Sequence, residues 1–361
     1  MHSTLWAQST IGNGERYSSA KGYLTPTAQP KPNLSIVLNT YITRVLPVKP
    51  GRKLDIRTIE IAPRYGGARR TLTASKELIV STGVIGSPQI LLNSGNKAEL
   101  TALGIPSVQD SPDVGQGIME HVSLITGVTT VPLNTTIINE ETALAMWKQN
   151  RTGPLTVRLT GHQLLWYRLP AKSPLFKEYK DPSSGTGSPH IEWSLDTTGS
   201  GSLVLLAPYS RKVYFLAIRQ SGNSFDKPRI YYINNLLSHP YDIAAHKEAL
   251  RSLKRYYSGP AWDGFVTGFK GPDPDALSNE VLEKAIRDGA FTSLHPVGSA
   301  QMSPRNSKRG VVDPDLRVKG LSGLRIVDAS VFPATMPAGH TQAPVYDILA
   351  ERAVDFIRES W

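Results

Sequence analysis

The sequence contains no cysteine, which excludes disulfides and thiolate metal ligands. No apolar run approaches the roughly 18–20 residues that a membrane-spanning helix needs, so no membrane span is expected. The opening Met1-His2-Ser3-Thr4-Leu5-Trp6 has no basic cluster followed by an apolar stretch, and no signal peptide is read there. Clustered positive charge is missing as well. The formal net charge is +10, yet Lys and Arg are scattered, with short pairs such as Arg69-Arg70 and Arg211-Lys212 and no interleaved aromatics. That pattern is a solvated surface, and no nucleic-acid partner is expected. A Gly-x-Ser-x-Gly elbow, a Walker-type phosphate loop and a His-Glu-x-x-His zinc helix are all absent, and no metal site is expected. Gly12-Asn13-Gly14-Glu15-Arg16-Tyr17 imitates a dinucleotide fingerprint, but the third glycine and the preceding apolar strand are lacking, so it is rejected.

What is present suits a packed core. The 361 residues are 40% hydrophobic and 19% charged, enough for one large domain or two ordinary ones. Residues 1–30 are polar and read as loop plus a short helix. Leu34–Leu38 and Tyr41–Val48 alternate as strands do, Asp55–Ile61 reads as another, and Glu77–Ser81 suits a short buried strand. Ser87 is a plausible N-cap, with Pro88 in the first helical position. From about 122 to 290 the chain is richer in Pro and aromatics and reads as a second domain or large insertion. Its strands are predicted at Leu203–Leu206, Val213–Ile218 and Arg229–Ile233. An amphipathic helix is predicted over Tyr241–Tyr257, with Ile243, Ala244, Leu250, Leu253 and Tyr257 on or near one face. Leu324–Val327 reads as a buried strand. The spacing of Val345, Ile348, Leu349, Ala353, Phe356 and Ile357 predicts a closing helix with Pro344 near its first turn. The Asn-x-Ser/Thr triplets at Asn33, Asn134 and Asn150 carry little weight.

Two segments hold candidate chemistry: Leu294-His295-Pro296-Val297-Gly298-Ser299 and Pro337-Ala338-Gly339-His340-Thr341-Gln342-Ala343-Pro344. Each sets a histidine beside Pro and Gly outside regular structure, where functional side chains concentrate. Imidazole serves as general base or hydrogen-bond donor near neutral pH. With eight histidines in the chain, two in loops also fit a purely structural role. His340 sits at the mouth of the predicted closing helix, whose unpaired N–H groups favour negative charge, such as that of a reduced flavin ring.

At these residues the sequence resembles the glucose–methanol–choline oxidoreductases. Ser81-Thr82-Gly83-Val84-Ile85-Gly86-Ser87-Pro88-Gln89-Ile90-Leu91-Leu92-Asn93-Ser94-Gly95 is similar to the family's second signature. Asp113-Val114-Gly115-Gln116 with His121 resembles the next block, and His295-Pro296-Val297-Gly298 its catalytic-histidine motif. Gly310-Val311-Val312-Asp313-Pro314-Asp315-Leu316-Arg317-Val318 and Gly323-Leu324-Arg325-Ile326-Val327-Asp328-Ala329-Ser330 resemble its closing flavin-domain signature. His340 and Asn150-Arg151-Thr152-Gly153-Pro154-Leu155 lean towards the aryl-alcohol oxidase-like branch.

The resemblance implies an α/β, two-domain (α+β) fold: an incomplete Rossmann-type FAD-binding domain plus a substrate domain with an antiparallel sheet flanked by helices. Residues 1–122 and 291–361 would form the FAD domain and 123–290 the substrate domain. FAD is the implied cofactor, a small-molecule alcohol the substrate, and oxygen or a quinone the electron acceptor. His295 would take the hydroxyl proton and His340 would hydrogen-bond the same oxygen. Hydride would pass to flavin N5, oxidising a primary alcohol, aryl alcohols included, to its aldehyde. Ile42 falls at the family's adenine end, Asp328 and Ala329 on the ribityl and diphosphate side, and Gly339, Thr341 and Gln342 against the ring. The match begins downstream of the family's opening Gly-x-Gly-x-x-Gly unit, so a chain shortened at its N-terminus is expected. The alternative reading is a cofactor-free, inactive relative. Departures include Gly117 and Glu120 where the family has Asn and Asp, Arg211-Lys212-Val213 for Arg-Gly-Ser, and Leu294 for an aromatic. The family is mostly secreted, which sets an expectation about location that the sequence itself does not.

Overall fold

The computed structural model describes residues 2–24, 32–48, 54–91, 97, 101, 109–132, 138–156, 163–195, 202–206, 215–218, 229–232, 235–333 and 338–361. In chain order the first strands are β1 (His2–Trp6), β2 (Ile11–Gly12), β3 (Glu15–Arg16), β4 (Thr40–Pro47), β5 (Ile56–Pro63), β6 (Arg70–Thr73) and β7 (Leu78–Val80), followed by helix α1 (Gly83–Leu91). Then come β8 (Val122–Thr130), α2 (Glu140–Asn150), β9 (Gln163–Tyr167), β10 (Ile191–Leu195), β11 (Ser202–Leu206), β12 (Phe215–Ile218) and β13 (Arg229–Tyr232). The remaining elements are α3 (Pro240–Tyr257), β14 (Val266–Lys270), α4 (Asn279–Gly289), β15 (Ala290–Thr292), β16 (Leu324–Ile326), a π-helical turn over Pro344–Ala350 and α5 (Glu351–Arg358).

An antiparallel sheet with the order β1-β9-β10-β11-β8-β14 dominates, and β15 also pairs with β8. Two helices cover it. Tyr241, Ala245, Ala249, Leu253 and Tyr257 of α3 pack on Leu165, Trp193 and Val128. Leu250 of α3 and Leu282 and Ile286 of α4 pack on Val122 and Leu124. The helix α3 is buried well beyond the single predicted face, taking in Asp242, His246 and Lys247. Lys247 reaches Asn279 and Glu283 of α4 from there, which satisfies a buried ammonium.

A second core unites Val45, Ile56, Val80, Ile90 and Leu91 with Val311, Val312, Leu316, Leu324, Ile326 and Ala353. Chain segments more than 200 residues apart therefore share one interior. Its strands form a three-stranded antiparallel sheet, β4-β5-β6, and a two-stranded parallel sheet, β7 with β16. Parallel strands are normally covered on both faces. Here Ile79 of β7 is 40% exposed and Ile348 of the closing helical turn 66%.

Several local expectations are corrected. Leu34–Leu38 is no strand: its apolar side chains stand exposed and the chain regularises only at Thr40, where β5 supplies partners. His2–Trp6 was expected as loop but is a strand, because β9 offers an antiparallel edge. Gly12 to Arg16 is a hairpin: Asn13 and Gly14 have φ of 51° and 68°, the left-handed pair of a type I′ turn. A Cβ on Gly14 would lie 2.5 Å from the Arg151 carbonyl oxygen. The helix α1 starts at Gly83, so Ser87 is no N-cap and Pro88 lies in the helix interior. Pro88 has no N–H for the Val84 carbonyl, and that carbonyl accepts the Ser299 hydroxyl instead, at 2.5 Å. Leu92–Gly95, Asn134, Arg211–Tyr214, Ile233 and Pro337 lie outside the described residues.

The second core closes around a charge. Arg325, in β16, is fully buried and donates through Nε to Glu77 Oε2 at 2.8 Å. Its other nitrogens donate to the Asp315 and Phe356 carbonyls and to the Ser360 hydroxyl. One side chain thus ties the parallel pair to the C-terminal helix. Removing it leaves Glu77 buried without its counter-charge. Arg325→Ala is expected to cost roughly 3–5 kcal/mol of stability, read as a lowered urea midpoint.

Candidate active site

His295 follows β15 in a loop whose backbone is pinned at successive residues. Ser293 N–H donates to the His121 carbonyl at 3.1 Å, Leu294 N–H to the Thr292 hydroxyl at 3.1 Å and His295 N–H to Glu120 Oε1 at 2.9 Å. Just beyond, Met119 and Val297 exchange both main-chain hydrogen bonds, at 3.0 and 2.9 Å. Gly298 N–H then donates to the Ala329 carbonyl. Leu294 holds a left-handed φ of 59° and is 80% exposed, a strained conformation for a bulky residue.

His340 approaches from the other side, and the two ring centroids are 6.0 Å apart. Its Nδ1 lies 2.7 Å from Glu192 Oε1, in β10. Glu192 is fully buried, and neither carboxylate oxygen has a well-angled hydrogen bond among the described residues. The imidazole Nδ1 and the buried carboxylate therefore face each other directly. Gly339 permits this approach. Its φ is 143°, and a Cβ there would meet Glu192 Oε2 at 3.0 Å and Trp166 Nε1 at 3.4 Å. Behind His295 stands His121, fully buried, with Nδ1 at 3.1 Å from His295 Nδ1.

Burial first, and then the neighbouring His340, push the His295 imidazole below its ordinary pKa, while Glu192 pulls partly the other way. At neutral pH His295 is therefore an unprotonated base. Burial pushes the Glu120 carboxyl up, partly offset by N–H donors that include His295.

Of the residues singled out in the sequence, His295, His340 and Gly339 converge, and Ala329 joins them through Gly298. Thr341 gives its carbonyl to Val345 N–H, at the start of the closing helix, and the Gln342 amide reaches the Thr10 hydroxyl at 3.2 Å. Asp328 is turned to internal duty: it accepts from Ser87 Oγ, Gly83 N–H and Ser330 N–H. Ile42 is partly buried and packs against the core around β4, β5 and β7. The sequence reading missed Glu192, and His121 and Glu120 as members of the site. A carboxylate inside the apolar run Ile191-Glu192-Trp193-Ser194-Leu195 was the available signal for the first.

Glu120 clamps the backbone that carries His295. Glu120→Ala is expected to lower stability by roughly 1–3 kcal/mol and to speed amide exchange at His295. Glu120→Gln, which keeps an acceptor oxygen, is expected to retain most of both. Unchanged exchange in the alanine variant would remove the clamp from this account.

Comparison with known proteins places the chain in a family. Two models of the GMC oxidoreductase family match, one over residues 3–123 and one over 217–348. Pyranose dehydrogenase 3 of Leucoagaricus meleagris is 37% identical over 387 residues, covering 100% of this chain and 62% of that protein. Glucose dehydrogenase [FAD, quinone] of Drosophila melanogaster is 31% identical, covering 98% and 58%. The chain thus spans about three fifths of the length of these relatives. Formate oxidase from Aspergillus oryzae superposes with a TM-score of 0.77 at 26% identity, covering 98% of this chain and 65% of that one. A fungal aryl-alcohol oxidase does so at 0.78 and 21% identity, covering 99% and 66%, a likeness of fold. With both family models placed in order along it, the chain belongs to the GMC oxidoreductase family.

Proposed function

We propose that this chain carries the proton-handling half of an FAD-dependent alcohol oxidation, in which a CH–OH group becomes a carbonyl and a primary alcohol its aldehyde. The observation that carries the reading is the pair of imidazoles 6.0 Å apart, one of them depressed in basicity, at the mouth of the closing helix. The names of the relatives support a sugar or other alcohol as substrate and a quinone as electron acceptor, with oxygen the alternative.

The ring end of a flavin fits the residues present. His340, Thr341 and Gln342 precede the closing helix, whose first N–H groups suit the negative charge of a reduced ring. The Gly339 approach keeps the His340 ring against Glu192. Asp328 and Ala329 are assigned to the ribityl and diphosphate side, the Asp328 carboxylate itself accepting from Ser87 Oγ and Gly83 N–H. Ile42 is assigned to the adenine end. The β7–α1–β16 unit is read as part of a Rossmann-type domain, with residues 1–122 and 291–361 on the flavin side and 123–290 on the substrate side.

FAD, when bound, supplies a hydride acceptor at N5. The protein's own task is the hydroxyl proton. Neutral His295 takes that proton through Nε2, since Nδ1 is turned to His121. His340, whose Nδ1 lies 2.7 Å from Glu192 Oε1, is assigned the hydrogen bond from Nε2 to the same oxygen. Negative charge developing on that oxygen is then stabilised from two fixed directions.

The chain purified with FAD is expected to show a flavin absorption band near one equivalent. With glucose or benzyl alcohol as donor and a quinone as acceptor, it is expected to turn over. His295→Ala should reduce that turnover by roughly 10²–10⁴-fold. Because the His295 pKa is depressed, the rate should hold as pH falls through the ordinary histidine range near 6.5 and drop only below it. A colourless protein assigns the chain to the cofactor-free reading, and unchanged turnover in the alanine variant removes His295 from the chemistry.

A further inference from the structure

His121 is fully buried and touches His295 directly. Its Nδ1 lies 3.1 Å from His295 Nδ1, and the rings meet edge-on, centroids 5.4 Å apart and planes at 80°. Two nitrogen lone pairs repel at that distance, and so do two N–H groups. The contact holds only with one proton between the rings. That proton has two homes, and they differ in consequence. On His121 it leaves His295 with its own N–H on Nε2, where a base needs a lone pair. On His295 it leaves Nε2 bare.

The backbone around the pair is fixed independently. The His121 carbonyl accepts both Ser293 N–H and Ser293 Oγ, at 3.1 and 2.9 Å, and Ser293 Oγ also meets Ser123 Oγ at 2.5 Å. Glu120 holds the His295 N–H. The two rings are therefore placed by main-chain bonds on either side, and the nitrogen–nitrogen contact is a consequence of the fold.

We propose that His121 is a positioning residue for His295: its Nδ1 accepts the His295 Nδ1–H and so selects the tautomer whose Nε2 lone pair faces the substrate. This deepens the reading of the site given above and rests on it for its function. The logic is that of a buried acceptor orienting a catalytic imidazole, with a neutral ring in place of the more usual carboxylate. Accepting at Nδ1 also suits the moment after proton transfer. An imidazolium at His295 still has an Nδ1–H to donate, and the contact persists.

The test is spectroscopic and needs neither flavin nor substrate. Long-range ¹H–¹⁵N correlation spectra of the full chain, labelled with ¹⁵N-histidine, report which nitrogen of His295 carries the proton, the assignment coming from the peaks lost in His295→Asn. The wild type is expected to show Nδ1 protonated and Nε2 bare. His121→Phe, which removes the acceptor, should move the proton to Nε2. His121→Asn, whose amide oxygen falls near the Nδ1 position, should return it. In FAD-loaded protein, kcat should fall by roughly 10²–10⁴-fold in the Phe variant with KM little changed, and recover in the Asn variant. An Nε2–H tautomer in the wild type overturns the proposal, as does an unmoved proton in His121→Phe. If the Phe variant does not fold, the wild-type and Asn spectra decide alone. Expected tautomers without alcohol oxidation would sink the oxidation reading and leave the positioning role standing. Oxidation by a protein whose His295 is Nε2–H would do the reverse.

Discussion

The reciprocal pair of main-chain bonds between Met119 and Val297 is the joint on which the site is built. It ties the entry to β8 to the loop after β15, more than 170 positions apart in the chain. On one side of it Glu120 and His121 face His295; on the other, Gly298 and Ala300 donate to Ala329 and Ser330. The joint lies where the two cores meet. β8 belongs to the sheet covered by α3 and α4, while the segment after Val297 enters the core around β7 and β16. An imidazole fixed there is fixed relative to both. Such placement is worth more to proton transfer than any single hydrogen bond, because misplacement by about 1 Å can cost on the order of 10²-fold in rate.

Much of the site was legible in the sequence because it is built from loops with unusual composition. Pro and Gly around His295 and His340 mark segments that regular structure cannot absorb, and the structure brings both rings to one place. The long helix α3 and the short strands β7 and β16 were legible for a different reason: apolar spacing reports burial whatever the partner. Strand pairing was not legible where the partner decides. The polar segment from His2 becomes a strand only because β9 offers an edge, and the apolar Leu34–Leu38 fails to become one for want of an edge. Glu192 and His121 were missed on similar grounds. Each sits in regular or near-regular structure, where a polar residue reads as solvent-facing until tertiary packing closes over it.

The signature around Ser81–Leu91 shows how one motif is read differently once partners are known. Its serine and proline looked like a helix start, yet both serve the interior of α1. Ser87 donates a hydrogen bond from its hydroxyl to Asp328, and Pro88 frees the Val84 carbonyl for Ser299. Both bonds run to the loop that carries His295 or to its neighbour. A motif that looks like local helix grammar is therefore a long-range fastening between α1 and the segment around Asp328.

Leu294 makes the remaining argument. A leucine in the left-handed region costs on the order of 1–2 kcal/mol, and its side chain recovers nothing by burial, being 80% exposed. The fold tolerates this because the N–H groups of Ser293, Leu294 and His295 each have an acceptor in that geometry, and relaxing Leu294 would break all three alignments together. The strain is thus held by the same bonds that aim His295. It follows that the exposed side chain beside His295 is there by consequence of the turn: the turn fixes where it points, and the residue type fixes what it presents to solvent.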